Sequence, residues 1–259
     1  MEYVCQSTEN KRILIATDLH YCERPWHNTT REERAQMLIE SLKCEYEKEP
    51  FDMMLCLGDY SLDFWEWETK GTYLNTPSVS DTDNFMKKVY PQFPLKAYMI
   101  PGNHEQYGNE KWKAITGFDR QYSIVYGDYL FLMCDTFGGN LDPTEHSDGT
   151  YTGVDIDFLK SAIDEHKDKK IIICAHDIYP NNESEEFKAL IRENNQIICA
   201  FTGHTHRSNT VILGEEWRNF PVFYCGDFSY SGGCDAEHPN RGYRTIDFSK
   251  GFSTVYKRV

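Results

Sequence analysis

The sequence predicts an α/β fold, and two observations carry that expectation. Five short apolar runs, Ile13 to Ala16, Met53 to Leu57, Ala97 to Ile100, Ile171 to Cys174 and Ile197 to Phe201, have the length and composition of buried strands. Stretches with helical spacing of apolar residues lie between them, an alternation that fits parallel strands joined by crossover helices. A short polar island follows each run: Asp18-Leu19-His20, Gly58-Asp59, Gly102-Asn103-His104-Glu105, Ala175-His176 and Gly203-His204-Thr205-His206. In α/β sheets, residues just beyond the carboxyl ends of strands converge, so these islands are expected to meet at one place. A single domain over residues 1–259 follows from that.

The elements can be justified in order. Thr30-Arg31-Glu32-Glu33 has the spacing of a capping box, and Ala35, Leu38, Ile39, Leu42 and Tyr46 follow at helical spacing. A helix over 30 to 48, ended by Pro50, is expected. Ser80 with Asp83 caps a second helix running to about Tyr90, and a third over Asn109 to Thr116 is closed by Gly117. Tyr122 to Tyr126 and Tyr129 to Asp135 flank Gly127-Asp128 and read as a hairpin. Asp155 to His166 and Glu183 to Glu193 are helical patterns leading into the last two of the five runs. From Thr210 onward, short apolar stretches alternate with turns: Val211 to Leu213, Val222 to Tyr224, Arg244 to Phe248 and Thr254 to Tyr256. The C-terminal part is therefore expected to be strand-rich. Residues 60 to 79, 136 to 153 and 226 to 242 have loop compositions, and there is no internal repeat.

With 41 acidic against 27 basic side chains, the formal net charge is −14. That charge repels a polyanionic backbone, so nucleic acid is a disfavoured partner. Several of the nine cysteines lie in the strand-like runs, among them Cys56, Cys134, Cys174 and Cys199, as expected of reduced core thiols in the cytoplasm. Met1 to Lys11 lacks the apolar core of a signal peptide, and no stretch reaches the roughly 18 apolar residues of a spanning helix. A soluble intracellular protein is expected. The oligomeric state is not written in the sequence.

Taken together and in order, the islands D-x-H, GD, GNHE, H and GHTH resemble those of the calcineurin-like metallophosphoesterase superfamily, over roughly residues 12 to 210. The resemblance implies a four-layer α/β/β/α sandwich, two mixed sheets face to face with flanking helices. It also implies two divalent ions, the first held by Asp18, His20, Asp59 and His206, the second by Asp59, Asn103, His176 and His204. Asp59 would bridge them, because a carboxylate offers two oxygens and offsets the repulsion of cations about 3.5–4 Å apart. Imidazoles and an amide complete the shells without cancelling all the positive charge, so a bridging water is acidified for in-line attack on phosphorus. Mixed nitrogen and oxygen donors suit manganese, iron or zinc. His104 resembles the family's non-ligand histidine, placed to protonate the departing oxygen.

A histidine at a strand end is ordinarily a hydrogen-bonded loop residue. Five of the nine falling within the ordered islands overrides that reading, while His27, His146, His166 and His238 lie outside and read as surface residues. Gly226-Asp227 imitates Gly58-Asp59, but it follows the last motif, and Asp227 reads as a rim or turn residue. Purple acid phosphatases carry D-x-G in the first motif and a tyrosine three residues after the second aspartate; this chain has His20 and Leu62, which argues against that subfamily. Protein phosphatases place an Asp-Arg pair three and four residues after the bridging aspartate; Leu62 and Asp63 stand there instead. Asp63 is a candidate partner for His104 if the loop carries one extra residue.

Tyr60, Phe64, Trp65, Trp67 and Tyr73 crowd the segment after Asp59. Aromatics there can stack on a nucleobase or simply pack as a cap, and Tyr60, Trp65 and Trp67 are the candidate substrate contacts. The expected function is metal-dependent hydrolysis of a small phosphate ester, with a nucleotide or cyclic nucleotide diester in view. The alternatives are a phosphomonoesterase or pyrophosphatase, then a nuclease, which would want a basic groove, or a non-catalytic scaffold of the same fold, which would not need the complete donor set.

Overall fold

The computed structural model describes residues 1–7, 10–23, 29–64, 80–141, 148–229 and 241–259. Its first element is unannounced by the polar N-terminus: Glu2–Val4 forms a strand, β1, with only Tyr3 turned inward, its ring edge-on to Tyr98, Phe118 and Tyr122. An edge strand needs one anchored face, and a single aromatic supplies it. The order continues with β2 (Arg12–Ala16), α1 (Arg31–Lys48), β3 (Met53–Cys56), α2 (Asp81–Lys88), β4 (Ala97–Met99) and α3 (Asn109–Thr116). Next come β5 (Tyr122–Tyr126), β6 (Tyr129–Cys134), α4 (Ile156–Glu165), β7 (Lys170–Ala175), α5 (Glu185–Glu193) and β8 (Ile197–Thr202). Four strands close the chain: β9 (Thr210–Ile212), β10 (Pro221–Tyr224), β11 (Gly242–Asp247) and β12 (Ser253–Arg258).

The caps sit where the spacing predicts. The Thr30 hydroxyl accepts from Glu33 N–H, and the Glu33 carboxylate accepts from Thr30 N–H. Ser80 caps α2 through Asp83 N–H, and Gly117 ends α3 at φ 80°. The last helix, α5, opens two residues later than its pattern suggests, on a Ser184 cap. Glu183 is drawn inward instead, where it accepts a hydrogen bond from the Tyr151 hydroxyl.

The strands form a seven-stranded sheet, β1-β5-β6-β7-β8-β10-β9, and a five-stranded sheet, β12-β11-β2-β3-β4. Both are mixed, with parallel centres: β6, β7, β8 and β10 in one, β2, β3 and β4 in the other. Side chains of β6 and β7 divide with period two. Phe131, Met133, Ile172 and Cys174 join a core shared with the five-stranded sheet and with Leu38 and Leu42 of α1; Leu130, Leu132, Ile171 and Ile173 pack with Leu159 of α4 and Phe187 and Ile191 of α5. Strands buried on both faces read as continuous apolar runs, and this is why they were legible. The architecture is the α/β/β/α arrangement of two mixed sheets with flanking helices. Among the described residues no helix is long and apolar enough to cross a membrane.

Glu45 ties the five-stranded sheet to α1. Its carboxylate takes Arg12 at 2.9 Å, the Tyr243 hydroxyl at 3.0 Å and Lys257 at 2.5 Å. Burial alone would raise its pKa, but these donors outweigh burial and the net shift is downward. The folded state therefore holds the ionised form more tightly than the unfolded chain does. Its contribution is complete above about pH 4.5, the unfolded value, and is lost as pH falls through the lower folded value. Glu45→Gln is expected to cost about 1.5–3 kcal/mol at pH 7, the range for hydrogen bonds to a charged group. Urea denaturation at pH 7 and pH 3 checks this, the deficit shrinking at the lower pH.

Candidate metal centre

The loops after β2, β3, β4, β7 and β8 all leave the carboxyl ends of parallel strands, and there the islands meet. Their backbone is unusual. Asp18, His20, Asp59, His204 and His206 have φ between 39° and 59°, a region that non-glycine residues seldom adopt and that clusters at functional sites. Close approach is enforced by glycine: at Gly58, with φ 99°, a Cβ would lie 2.6 Å from the Gly102 Cα and 2.7 Å from His176 Nδ1. Glu105 holds the loops together, accepting N–H groups from Asp59 and Gly102 at 2.8 Å each, from Tyr60 at 2.9 Å and from Ser61 at 3.3 Å. Burial, and then the charge of Asp59, push the Glu105 carboxyl up to about 8, while these donors pull it down.

The sequence-predicted side chains lie together and are nearly all buried. His206 Nε2 stands 3.1 Å from Asp18 Oδ1 and 3.4 Å from His20 Nε2. Asp59 Oδ2 is 3.2 Å from His176 Nε2, 3.7 Å from His104 Nε2 and 3.9 Å from His20 Nε2. Asn103 Oδ1 lies 2.9 Å from both His176 Nε2 and His204 Nδ1, its amide turned that way because Nδ2 donates to Asp148 Oδ1 at 2.8 Å. Three groups of donors fall within 4.8 Å of one another: Asp18, His20 and His206; His20, Asp59 and His104; Asp59, His176 and His204.

Electrostatics explain why such a cluster is costly without a cation. Burial would raise both aspartates, but the imidazole charges around them win and both are lowered, Asp59 strongly, chiefly by His176. Burial lowers His20 to about 3 and, with the charge of His176, lowers His204 to about 4. Against burial, Asp59 and Asp18 raise His176 to about 10. His20 and His204 are thus uncharged rings at neutral pH, while the raised His176 keeps a proton beside Asp59. A cation must expel it.

The donors fit divalent ions. Atoms about 2.1 Å from a common centre stand about 3.0–3.4 Å apart; His206 Nε2 keeps that spacing to Asp18 Oδ1 and to His20 Nε2, while His20 Nε2 and Asp18 Oδ1 stand farther apart, at 3.8 Å. Two Nε2 atoms facing each other repel unless a proton or cation lies between them. Among the described residues, Asp18 Oδ1 is buried with no hydrogen-bond partner of good geometry, an orphan that a cation would satisfy.

Other expectations need correction. Tyr60, a candidate substrate contact, is fully buried, its hydroxyl held between the Cys56 and Ile100 carbonyls. With Asp59 at φ 56°, the chain turns so that the next side chain re-enters the core. Asp63 does not orient His104; it accepts from Asp81 N–H and Thr82 N–H at the start of α2, from Ser80 and from the Tyr107 hydroxyl. The carboxylate on the open side of His104 Nε2 is that of Asp148, 3.8 Å away. Phe64 is buried edge-on against Tyr107, while Trp65, Trp67 and Tyr73 lie outside the described residues, as do His27, His146 and His238. His166 pairs with Glu2 at 2.8 Å, away from the site. Asp227 is no rim residue: it is wholly buried behind the end of β10, with His206 and Asp18 as charged neighbours, and Phe228 N–H donates to the Asp18 carbonyl at 3.2 Å. Tyr179, whose hydroxyl lies 2.7 Å from His204 Nε2, was not singled out at all.

Fold and donor set together define a metallophosphoesterase architecture, with buried imidazoles, carboxylates and an amide at the carboxyl edge of two sheets. The family follows directly: residues 11–208 match the model of the calcineurin-like phosphoesterases, and the chain belongs to that family, whose members bind divalent metals. The fold is similar to that of the purple acid phosphatase PPD1 from yellow lupin (Lupinus luteus) seeds, with TM-score 0.57 and 14% identity, covering 96% of this chain and 51% of that one. It is also similar to GAP50, described as the anchor in the inner membrane complex of Plasmodium, with TM-score 0.58 and 14% identity, covering 95% of this chain and 84% of that one. The chain thus spans about half the length of the lupin phosphatase. No curated protein matches the sequence.

Proposed function

We propose that this chain is a dinuclear metal-dependent phosphoesterase acting on a small phosphate ester. The observation that carries the reading is the position of Asp59, whose one oxygen faces His20, His104 and His176 from under 4 Å while its donor groups extend to both ends of the cluster. In this reading Asp18, His20, Asp59 and His206 hold one ion, and Asp59, Asn103, His176 and His204 hold the other. Manganese, iron or zinc, when bound, would polarise the phosphoryl oxygens and acidify the attacking water. The chain's own residues do the rest. Glu105 fixes the Asp59 loop, Asp148 fixes the Asn103 amide, and His104, at 7% exposure, stands at the mouth to give a proton to the departing oxygen.

The net charge of −14 favours a compact ester over a polynucleotide, and nucleotides or cyclic nucleotide diesters are the substrates proposed. Stacking by Trp65 or Trp67 belongs to the same proposal. One domain, and a cytoplasmic setting in which the eight described cysteines stay as free thiols, complete it. The test is a panel of monoesters, diesters and pyrophosphates assayed on the metal-reconstituted protein, where kcat/KM separates the classes. Metal-dependent turnover of at least one class is expected. Two bound ions with no turnover on any class would favour a scaffold.

A further inference from the structure

A ligating imidazole gives one nitrogen to the metal and needs its other nitrogen held by an outer partner. At His176 that partner is the Leu57 carbonyl, 2.7 Å from Nδ1, and at His20 it is the Ser61 carbonyl, 3.4 Å from Nδ1. A carbonyl only accepts, so each fixes a proton on Nδ1 and turns Nε2 inward. His204 is reversed. Its Nδ1 faces the site, 2.9 Å from Asn103 Oδ1, and its Nε2 faces the hydroxyl of Tyr179 at 2.7 Å.

We propose that Tyr179 is a positioning residue for the second ion, acting as a two-way partner that lets His204 exchange tautomers without losing its outer hydrogen bond. The inference rests on the dinuclear reading above. Without a cation, the 2.9 Å approach of Nδ1 to a carbonyl-type oxygen requires the proton on Nδ1, and Nε2 then accepts from the Tyr179 O–H. With a cation, Nδ1 must present its lone pair, so the proton moves to Nε2 and the same phenol oxygen accepts it. A phenol can donate or accept, which neither a carbonyl nor a carboxylate can do at neutral pH.

The phenol is held for this task. Tyr179 N–H donates to the Tyr151 hydroxyl at 2.9 Å, Tyr151 donates to Glu183, and the two rings pack with centroids 4.4 Å apart. Among the described residues, His204 is the one hydrogen-bond partner of the Tyr179 hydroxyl. Tyr179→Phe removes that oxygen and keeps the ring.

The experiment titrates metal-free wild type and Tyr179→Phe with Zn²⁺ by calorimetry, beside the melting temperature of each metal-free form and nitrogen NMR of the His204 ring. Wild type is expected to take two ions and to move its His204 proton from Nδ1 to Nε2 as the second one binds. Tyr179→Phe is expected to take the first ion normally and the second about 10–100-fold more weakly, the usual loss for an outer partner of a ligand, with an unchanged melting temperature. Wild-type affinity for both ions in the variant, or a His204 proton that stays on one nitrogen throughout, overturns the inference alone. Weakening of both ions with a lowered melting temperature overturns it in favour of a structural role. A wild-type chain that takes one ion overturns the dinuclear reading and the inference with it.

Discussion

Asp59→Ala is expected to lose both bound cations at micromolar metal and to drop hydrolysis by more than about 10³-fold, above the loss from removing one preorganised donor. The reason lies in the position of Asp59 Oδ2, 3.2 Å from His176 and within 4 Å of His20 and His104. Without the carboxylate that the proposed centre shares, two cations would face each other with nothing between them. The fold is expected to survive, because Glu105 grips the loop through backbone N–H groups of residues 59 to 61 and needs no side chain from Asp59. His176 also loses the larger of the two carboxylate charges that raise it against burial, Asp18 remaining as the other. Elemental analysis and kcat/KM check the outcome. Two retained ions with normal activity would remove Asp59 from the centre of the account.

His104→Ala is expected to behave differently, keeping both ions and lowering kcat by about 10²–10⁴-fold, the usual contribution of a positioned proton donor. Its Nε2 lies between Asp59 and the exposed carboxylate of Asp148, the side on which the proposed mechanism puts the leaving group. Alkyl leaving groups, whose oxygens need a proton, are expected to suffer most. Activated nitrophenyl esters, whose oxygens depart as anions, are expected to suffer least. Metal content and kcat across leaving groups of graded pKa measure this. Loss of one ion would make His104 a ligand, and an equal fall across the series would reject proton donation.

What the sequence made legible was governed by pattern. Strands buried on both faces, such as Ile171 to Cys174, announced themselves as unbroken apolar runs, and Thr30 with Glu33 announced α1 by its cap. The candidate ligands were legible because each stands two to five residues beyond such a run. β1 was not, since one half-buried tyrosine between two exposed residues makes no pattern. Loop side chains were misplaced for a related reason. A left-handed residue such as Asp59 reverses the chain, so Tyr60 enters the core although it adjoins the site. Asp63 was drawn to the start of α2 by N–H groups eighteen and nineteen residues away in the chain, a contact no local spacing encodes. Tyr179 and Asp227 likewise depend on tertiary proximity alone.

Two cations with Asp59 between them are proposed for this site, and anomalous diffraction from crystals equilibrated with Mn²⁺ or Zn²⁺ tests that arrangement most directly. Two peaks about 3.5–4 Å apart, one beside Asp18, His20 and His206 and the other beside Asn103, His176 and His204, with the Asp59 carboxylate touching both, are the expected result. A single peak, no peak, or two peaks that Asp59 does not bridge would contradict it.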